Sequence, residues 1–197
     1  MALSQIGGTN TTYLSVADGN LVRQHKQANE RTTERLTKTG KLVYEEKFKD
    51  LTAQLVTLTT KTNDYGTQWQ LEFKDGEDTY MVSLPYSSRY ASSFLKALPN
   101  VKLGKELRFM PWSMKDSKDA SKTVTGITLY QDGVKIAPAY TKEEPNGLPQ
   151  MVKIKVKGKE QWDDSDMMQF LEQMALKLFA DQNDNNLVLD DDEKLPF

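Results

Sequence analysis

The chain has 197 residues, 38% of them hydrophobic, a length that suits one compact domain with appendages better than two ordinary domains. It has no cysteine, which excludes disulfides, thiolate nucleophiles and cysteine-held zinc, and no run approaches the apolar length of about eighteen residues that a membrane span needs. The formal net charge of -2 is unevenly placed: after residue 183 five acids face Lys194 alone, while the preceding body carries two more bases than acids, a split that marks interaction tails.

The start, Met1-Ala2-Leu3-Ser4-Gln5, lacks a basic flank and an apolar stretch, so the protein is expected to be soluble and to stay where it is made. Asp18-Gly19, between residues 11–16 and 21–23, predicts a short hairpin on a type I′ turn. Residues 24–41 contain His25, Lys26, Arg31, Arg35, Lys38 and Lys41 with few apolar partners, which reads as a mobile or loosely packed basic arm, or as a solvated linker. Residues 1–50 are thus taken together as an N-terminal hairpin and basic arm.

From residue 42 the β-formers become dense. Residues 51–60 are rich in Thr, Val and Leu, and Asn63-Asp64-Tyr65-Gly66 follows as a turn. Residues 67–73 alternate Trp69, Leu71 and Phe73 against Gln68, Gln70 and Glu72, the period of a strand with one buried face. Asp75-Gly76 closes it, and residues 79–84 place Tyr80, Val82 and Leu84 on one side. The period then changes: Tyr90, Phe94, Leu95 and Leu98 stand at helical spacing behind serines able to cap, and Pro99 ends the run. Residues 105–112 return to alternation, with Leu107 and Phe109 opposed to Arg108, Met110 and Trp112. A polar loop over 113–121 precedes strands at 123–130 and 134–137, separated by Asp132-Gly133.

Three strands, a helix and two strands is the order of the OB-fold, a five-stranded Greek-key barrel used for oligonucleotides. The expected fold is therefore mainly β, with such a barrel over residues 51–158. Beyond residue 139, a loop over 140–149 leads to residues 151–156, where Lys153, Lys155 and Lys157 mark an edge strand guarded against aggregation. Asp163, Asp164 or Ser165 can cap an amphipathic helix over 163–182, whose Met167, Phe170, Leu171, Met174 and Leu178 recur at three and four. Core packing is the usual use of such a face, and a homodimer or partner contact is the alternative. Residues 183–197 lose all periodicity and read as a disordered acidic tail.

The chain ends Asp190-Asp191-Asp192-Glu193-Lys194-Leu195-Pro196-Phe197. These residues resemble the carboxyl-terminal tip of the single-stranded DNA-binding proteins of bacteria and their phages, in which aspartates are followed by an apolar residue, Pro and Phe. The resemblance implies sequence-independent binding and protection of single-stranded DNA in replication, recombination and repair, in a bacterial cytoplasm or, for a phage-encoded protein, that of the host. It also implies that Asp190, Asp191, Asp192, Leu195, Pro196 and Phe197 dock on enzymes of those processes. Glu193-Lys194 departs from the pattern by putting a positive charge between the aspartates and Leu-Pro-Phe. The chemistry is sound on its own terms: Phe197 offers a ring and a carboxylate, Pro196 restricts the backbone, and the aspartates attract basic patches. The same anionic segment can compete with DNA for a basic groove.

Binding without sequence preference needs cations for phosphates and flat side chains for bases. Where OB-folds expose their binding face, the candidates are Lys61 and Tyr65 in the first loop and Lys115, Lys118 and Lys122 in the later one. On the strands they are Trp69, Tyr80, Arg108 and Trp112, with Tyr86, Arg89 and Tyr90 as lesser candidates near the helix start. Trp69 and Tyr80 share a face with apolar neighbours, so core packing is their alternative use.

An enzyme is poorly supported: His25 is the lone histidine, and there is no phosphate-cradling glycine loop and no nucleophile elbow, so neither cofactor nor metal is expected. A weak calcium module is a rival reading of residues 181–192, with Asp181, Asn183, Asn185 and Asp192 at EF-hand ligand positions, although Asn186 stands where glycine is required. A structural or interaction β-domain without nucleic acid is the other rival.

Overall fold

The computed structural model describes residues 11–37, 39–64, 66–156 and 158–189, the last eight of these as backbone only. The fold is mainly β, with two α-helices. β1 (Thr11–Ala17) and β2 (Asn20–His25) form an antiparallel hairpin around Asp18 and Gly19, whose φ angles of 50° and 77° are those a type I′ turn demands. The hairpin expected over residues 11–23 is therefore formed.

The stretch expected as a basic arm is ordered in part: β3 (Thr33–Leu36) pairs with β4 (Leu42–Phe48), and β4 pairs with β2, while residues 26–31 lie exposed outside the sheet. Two of its side chains meet buried carboxylates: Arg35 donates to Glu45 Oε1 from Nε at 2.8 Å, and His25 Nε2 lies 2.9 Å from Glu46 Oε2. Glu45 and Glu46 are the buried carboxylates of the fold, and burial without such partners would be costly.

β5 (Leu51–Asn63), β6 (Gly66–Asp75) and β7 (Asp78–Pro85) follow as a meander. α1 (Arg89–Ala97) comes next, its N-cap Ser88 accepting from the Ala91 amide, before a short helical turn around Pro99. β8 (Glu106–Lys115), β9 (Thr123–Gln131) and the two-residue β10 (Val134–Lys135) complete one sheet, in the order β10-β9-β8-β5-β6-β7-β1-β2-β4-β3. The strands before and after residue 50 belong to this one sheet.

The sheet does not close into a barrel. β1 lies parallel to β7, from Thr11 opposite Thr79 to Ser15 opposite Ser83, and so occupies the edge that β9 would need. A bulge between Leu55 and Thr57 bends β5, whose first residues pair with β8 while the rest pair with β6. The β1–β2 turn then reaches β8 from the other side. A Cβ built on Gly19 would lie 2.5 Å from the Ser113 amide nitrogen, and the Gly19 N–H donates to Tyr90 Oη at 2.8 Å.

Alternation puts Leu55, Leu58, Trp69, Leu71, Phe73, Leu107, Phe109 and Leu129 on the inner face. α1 covers it with Tyr90, Ala91, Phe94 and Leu95. Phe109 meets Phe73 edge-on at 5.6 Å between centroids and Phe94 at 5.8 Å. Each such fully buried side chain contributes about 1.5–3 kcal/mol.

β11 (Val152–Val156) finds its partner in β12 (Lys159–Asp163), a strand the sequence did not announce, and the two form a separate ribbon. α2 (Ser165–Leu189) follows, and Asp163 Oδ1 accepts from the Ser165 amide at 3.0 Å. Met167, Met168, Leu171 and Ala175 bury one face of α2 against the core. The helix has no Gly or Pro to stop it and continues to Leu189, so residues 183–189 are helical rather than tail. Residues 181–189 of the calcium reading are helical rather than looped, and its Asp192 lies outside the described residues. The tip residues Asp190, Asp191, Asp192, Leu195, Pro196 and Phe197 lie outside the described residues. Among the described residues no helix is long and apolar enough to cross a membrane.

Candidate nucleic-acid interface

Period-two geometry on β8 sends Leu107 and Phe109 inward and Arg108, Met110, Trp112 and Met114 outward. Register places Tyr130, Thr128, Gly126 and Val124 of β9 directly across from them. Trp112 faces Gly126, where an added Cβ would stand 2.6 Å from indole Cζ2 and 2.9 Å from Cε2. The missing side chain is what lets the ring lie against the β9 backbone. Four residues away, about 13 Å along the strand, the Arg108 guanidinium is fixed by Asp50, at 2.7 Å from Nη2, and sits 5.7 Å from the Tyr130 centroid. The hydrogen bond to Asp50 and its charge also hold the guanidinium pKa above its ordinary value.

The outward row ends in Met114, 58% exposed, and the exposed Lys115 closes the strand beside it. In the loop beyond, Asp116 accepts from the Lys118 amide, and Asp119 accepts from Ser121 and pairs with Lys122 at 3.0 Å. The Ser121 hydroxyl, and next Lys122, draw the Asp119 carboxyl below its usual range. Among the described residues Lys115 and Lys118 carry no ion pair, so they are the cations of this end that remain available.

The structure thus gathers Arg108, Trp112, Lys115, Lys118 and Lys122 on one two-stranded face and its loop. It separates the others. Trp69 is 1% exposed, stacked on Tyr86 at 5.4 Å and 4°, and donates Nε1–H to Tyr86 O at 3.2 Å. Its ring has no face left for a base, which corrects its assignment as a DNA-stacking residue. The cause is its place in one inward row with Leu71 and Phe73. Tyr80 belongs to the inward row of β7 and is partly buried. It lines a cleft of about 390 Å³ with Arg23 and Arg31 but also Glu46, Asp50 and Asp78, a carboxylate excess that disfavours phosphate. Lys61 is exposed near the far end of β5, away from this face, and Tyr65 lies outside the described residues.

Tyr86, a lesser candidate, is engaged inside: its hydroxyl donates to Glu172 Oε2 at 2.6 Å, joining α2 to the sheet. Burial first, then that bond, pushes its pKa far up. Tyr90 is spent on Gly19. Two flat groups went unnoticed in the sequence. Tyr130 is the ring under Arg108, and Trp162 on β12 is 60% exposed with Lys153 Nζ 5.3 Å from its centroid. A tryptophan between Gln161 and Asp163, following alternating lysines, was the available signal for the second. Among the described residues no group of three or more His, Asp or Glu is placed to hold a metal ion. No family model, no curated protein and no solved structure matches the chain.

Proposed function

We propose that the protein binds single-stranded DNA without sequence preference on the outer face of β8 and β9, and that its terminus, residues 190–197, recruits proteins of replication, recombination and repair. The observation that carries the reading is Trp112 lying on Gly126, in one row with the Arg108–Tyr130 pair, with Lys115 at the end of the strand and Lys118 in the loop beyond. A partly exposed indole backed by a strand is a rigid platform, and stacking of an unpaired base on such a ring is worth about 1–3 kcal/mol whatever the base. Duplex bases are already stacked on one another and cannot use it.

The topology supports an OB-type ancestry for the central strands. β9-β8-β5-β6-β7, with α1 between β7 and β8, is the OB order, and β1 takes the parallel place beside β7 that would belong to the closing strand. The chain is read as a binding protein rather than an enzyme, since its one histidine is bound to Glu46. With about three cations on the face, the salt dependence is shallow, a log–log slope near -2 for a single strand.

Titration of the intact protein with fluorescent oligo-dT and with a duplex of the same length, at two salt concentrations, tests the reading. The expected result is a clear preference for oligo-dT that weakens modestly with salt. Equal affinity for both, or for neither, overturns it.

A further inference from the structure

A concave region lies away from β8 and β9, between α1, the β11–β12 ribbon and the start of α2. There the fold leaves a cleft of about 610 Å³, within the range that holds a small organic ligand. Arg89, Lys96 and Lys142 line it, against Asp164 as its one acid. Lys96 is half-buried with no carboxylate in ion-pair range among the described residues, and burial lowers its pKa. A cation held this way is poorly solvated and unneutralised, so an anion entering the cleft meets a site that gains by its arrival. The remaining walls mix small polar residues, Ser87 and Ser92 among them, with Met151, Met167 and the exposed ring of Trp162. Phosphate-seeking cations beside a flat ring are the two halves of a nucleotide.

The cleft also continues the path already described. Arg89 Nη1 donates to Thr123 O at 3.2 Å, and Thr123 stands opposite Lys115 in the β8–β9 register. A strand leaving the Trp112 platform past Lys115 reaches Arg89 by turning over the end of β8 and β9 to the side that α1 covers. We infer that this cleft takes a further nucleotide of the same strand, with the base against Trp162 and the phosphate held by Arg89, Lys96 and Lys142. The inference rests on the single-strand reading and adds a second grip to it.

The test uses the full chain and its Trp162→Ala and Lys142→Glu variants, both altered at exposed positions and checked for unchanged thermal unfolding. Each is titrated with oligo-dT of about 30 nucleotides and of about 6, lengths chosen to span both places or one. The expected result is about a tenfold loss for the long oligonucleotide and little change for the short one. Cross-linking with 5-iododeoxyuridine in the long oligonucleotide should label Trp162. Wild-type binding with neither the loss nor the label overturns the second grip and leaves the first standing, whereas no oligo-dT binding by any form overturns both. Absence of the label at Trp162, together with binding of a peptide of residues 186–197 that Trp162→Ala abolishes, would also overturn it and assign the cleft to the acidic terminus.

Discussion

Trp112 on β8 lies against Gly126 on β9, and the contact is close enough that even one methyl group cannot be added without moving the indole. The backbone at Gly126 is not in the left-handed region, so the glycine is there for space alone. This separates two effects that mutagenesis usually mixes, because alanine at position 126 strains no backbone and touches only the ring.

Gly126→Ala should displace the indole, lower oligo-dT affinity and destabilise the fold by about 1–3 kcal/mol through overpacking. Trp112→Ala should weaken oligo-dT binding by about 1–3 kcal/mol, the worth of one stacked base. Thermal unfolding and fluorescence titration, run on both variants, check this. Unaltered affinity in both would remove β8 and β9 from the binding face.

Arg108→Ala should reduce affinity and lower the magnitude of the salt slope by about 0.7, the share of one phosphate on a single strand. Arg108→Lys should restore most of the slope but not all of the affinity, since a lysine keeps the charge and loses the planar fork over Tyr130. The log–log salt plots of the three proteins decide it.

Gly19→Ala should be far more damaging than Gly76→Ala, although both glycines have positive φ. At position 76 the new methyl meets open space, and the cost is the left-handed backbone, about 1 kcal/mol. At position 19 it meets the Ser113 backbone, which cannot swing aside, and the bond to Tyr90 is endangered, for about 3 kcal/mol or more. Urea unfolding of the pair measures the difference.

Tyr86 keeps its proton to higher pH in the folded chain than in the unfolded one, whose value is 10.0. Its contribution is therefore complete below pH 10 and is lost as the pH rises beyond it. The thermal midpoint should fall above that pH, and Tyr86→Phe should make the fall shallower while costing about 1–2 kcal/mol near neutrality, through loss of the bond to Glu172. Part of the slope should persist, since burial raises Tyr90 and Tyr140 in the same direction.

Removing residues 190–197 should leave oligo-dT affinity unchanged or raised, because a competing anion is gone. It should also abolish capture of replication and recombination enzymes. A large loss of oligo-dT affinity would contradict the division between face and terminus.

The central strands were legible because their inward rows alternate without interruption, as Trp69, Leu71 and Phe73 show. That same regularity hid the fate of Trp69, since alternation fixes which residues share a face and says nothing of which face is covered. β3 escaped notice, and β4 showed only as the start of a region dense in β-formers, because Thr33-Glu34-Arg35-Leu36 and the buried Glu45 and Glu46 look solvated until their contacts with Arg35 and His25 are seen. β12 is mostly polar and takes its identity from β11 alone. Trp112 was legible as an outward residue, but the glycine beneath it belongs to another strand, and register between strands is a tertiary fact.

The parallel pairing of β1 with β7 also governs how the molecule comes into being. Thr11 leaves the ribosome early and cannot meet Thr79 until the whole β5–β7 meander has been made. Until then the N-terminal hairpin has an unsatisfied edge and nothing to brace. Joining of the hairpin to the meander is consequently a long-range event, closed between positions 11 and 79, and variants that slow it should be rescued by cooler expression.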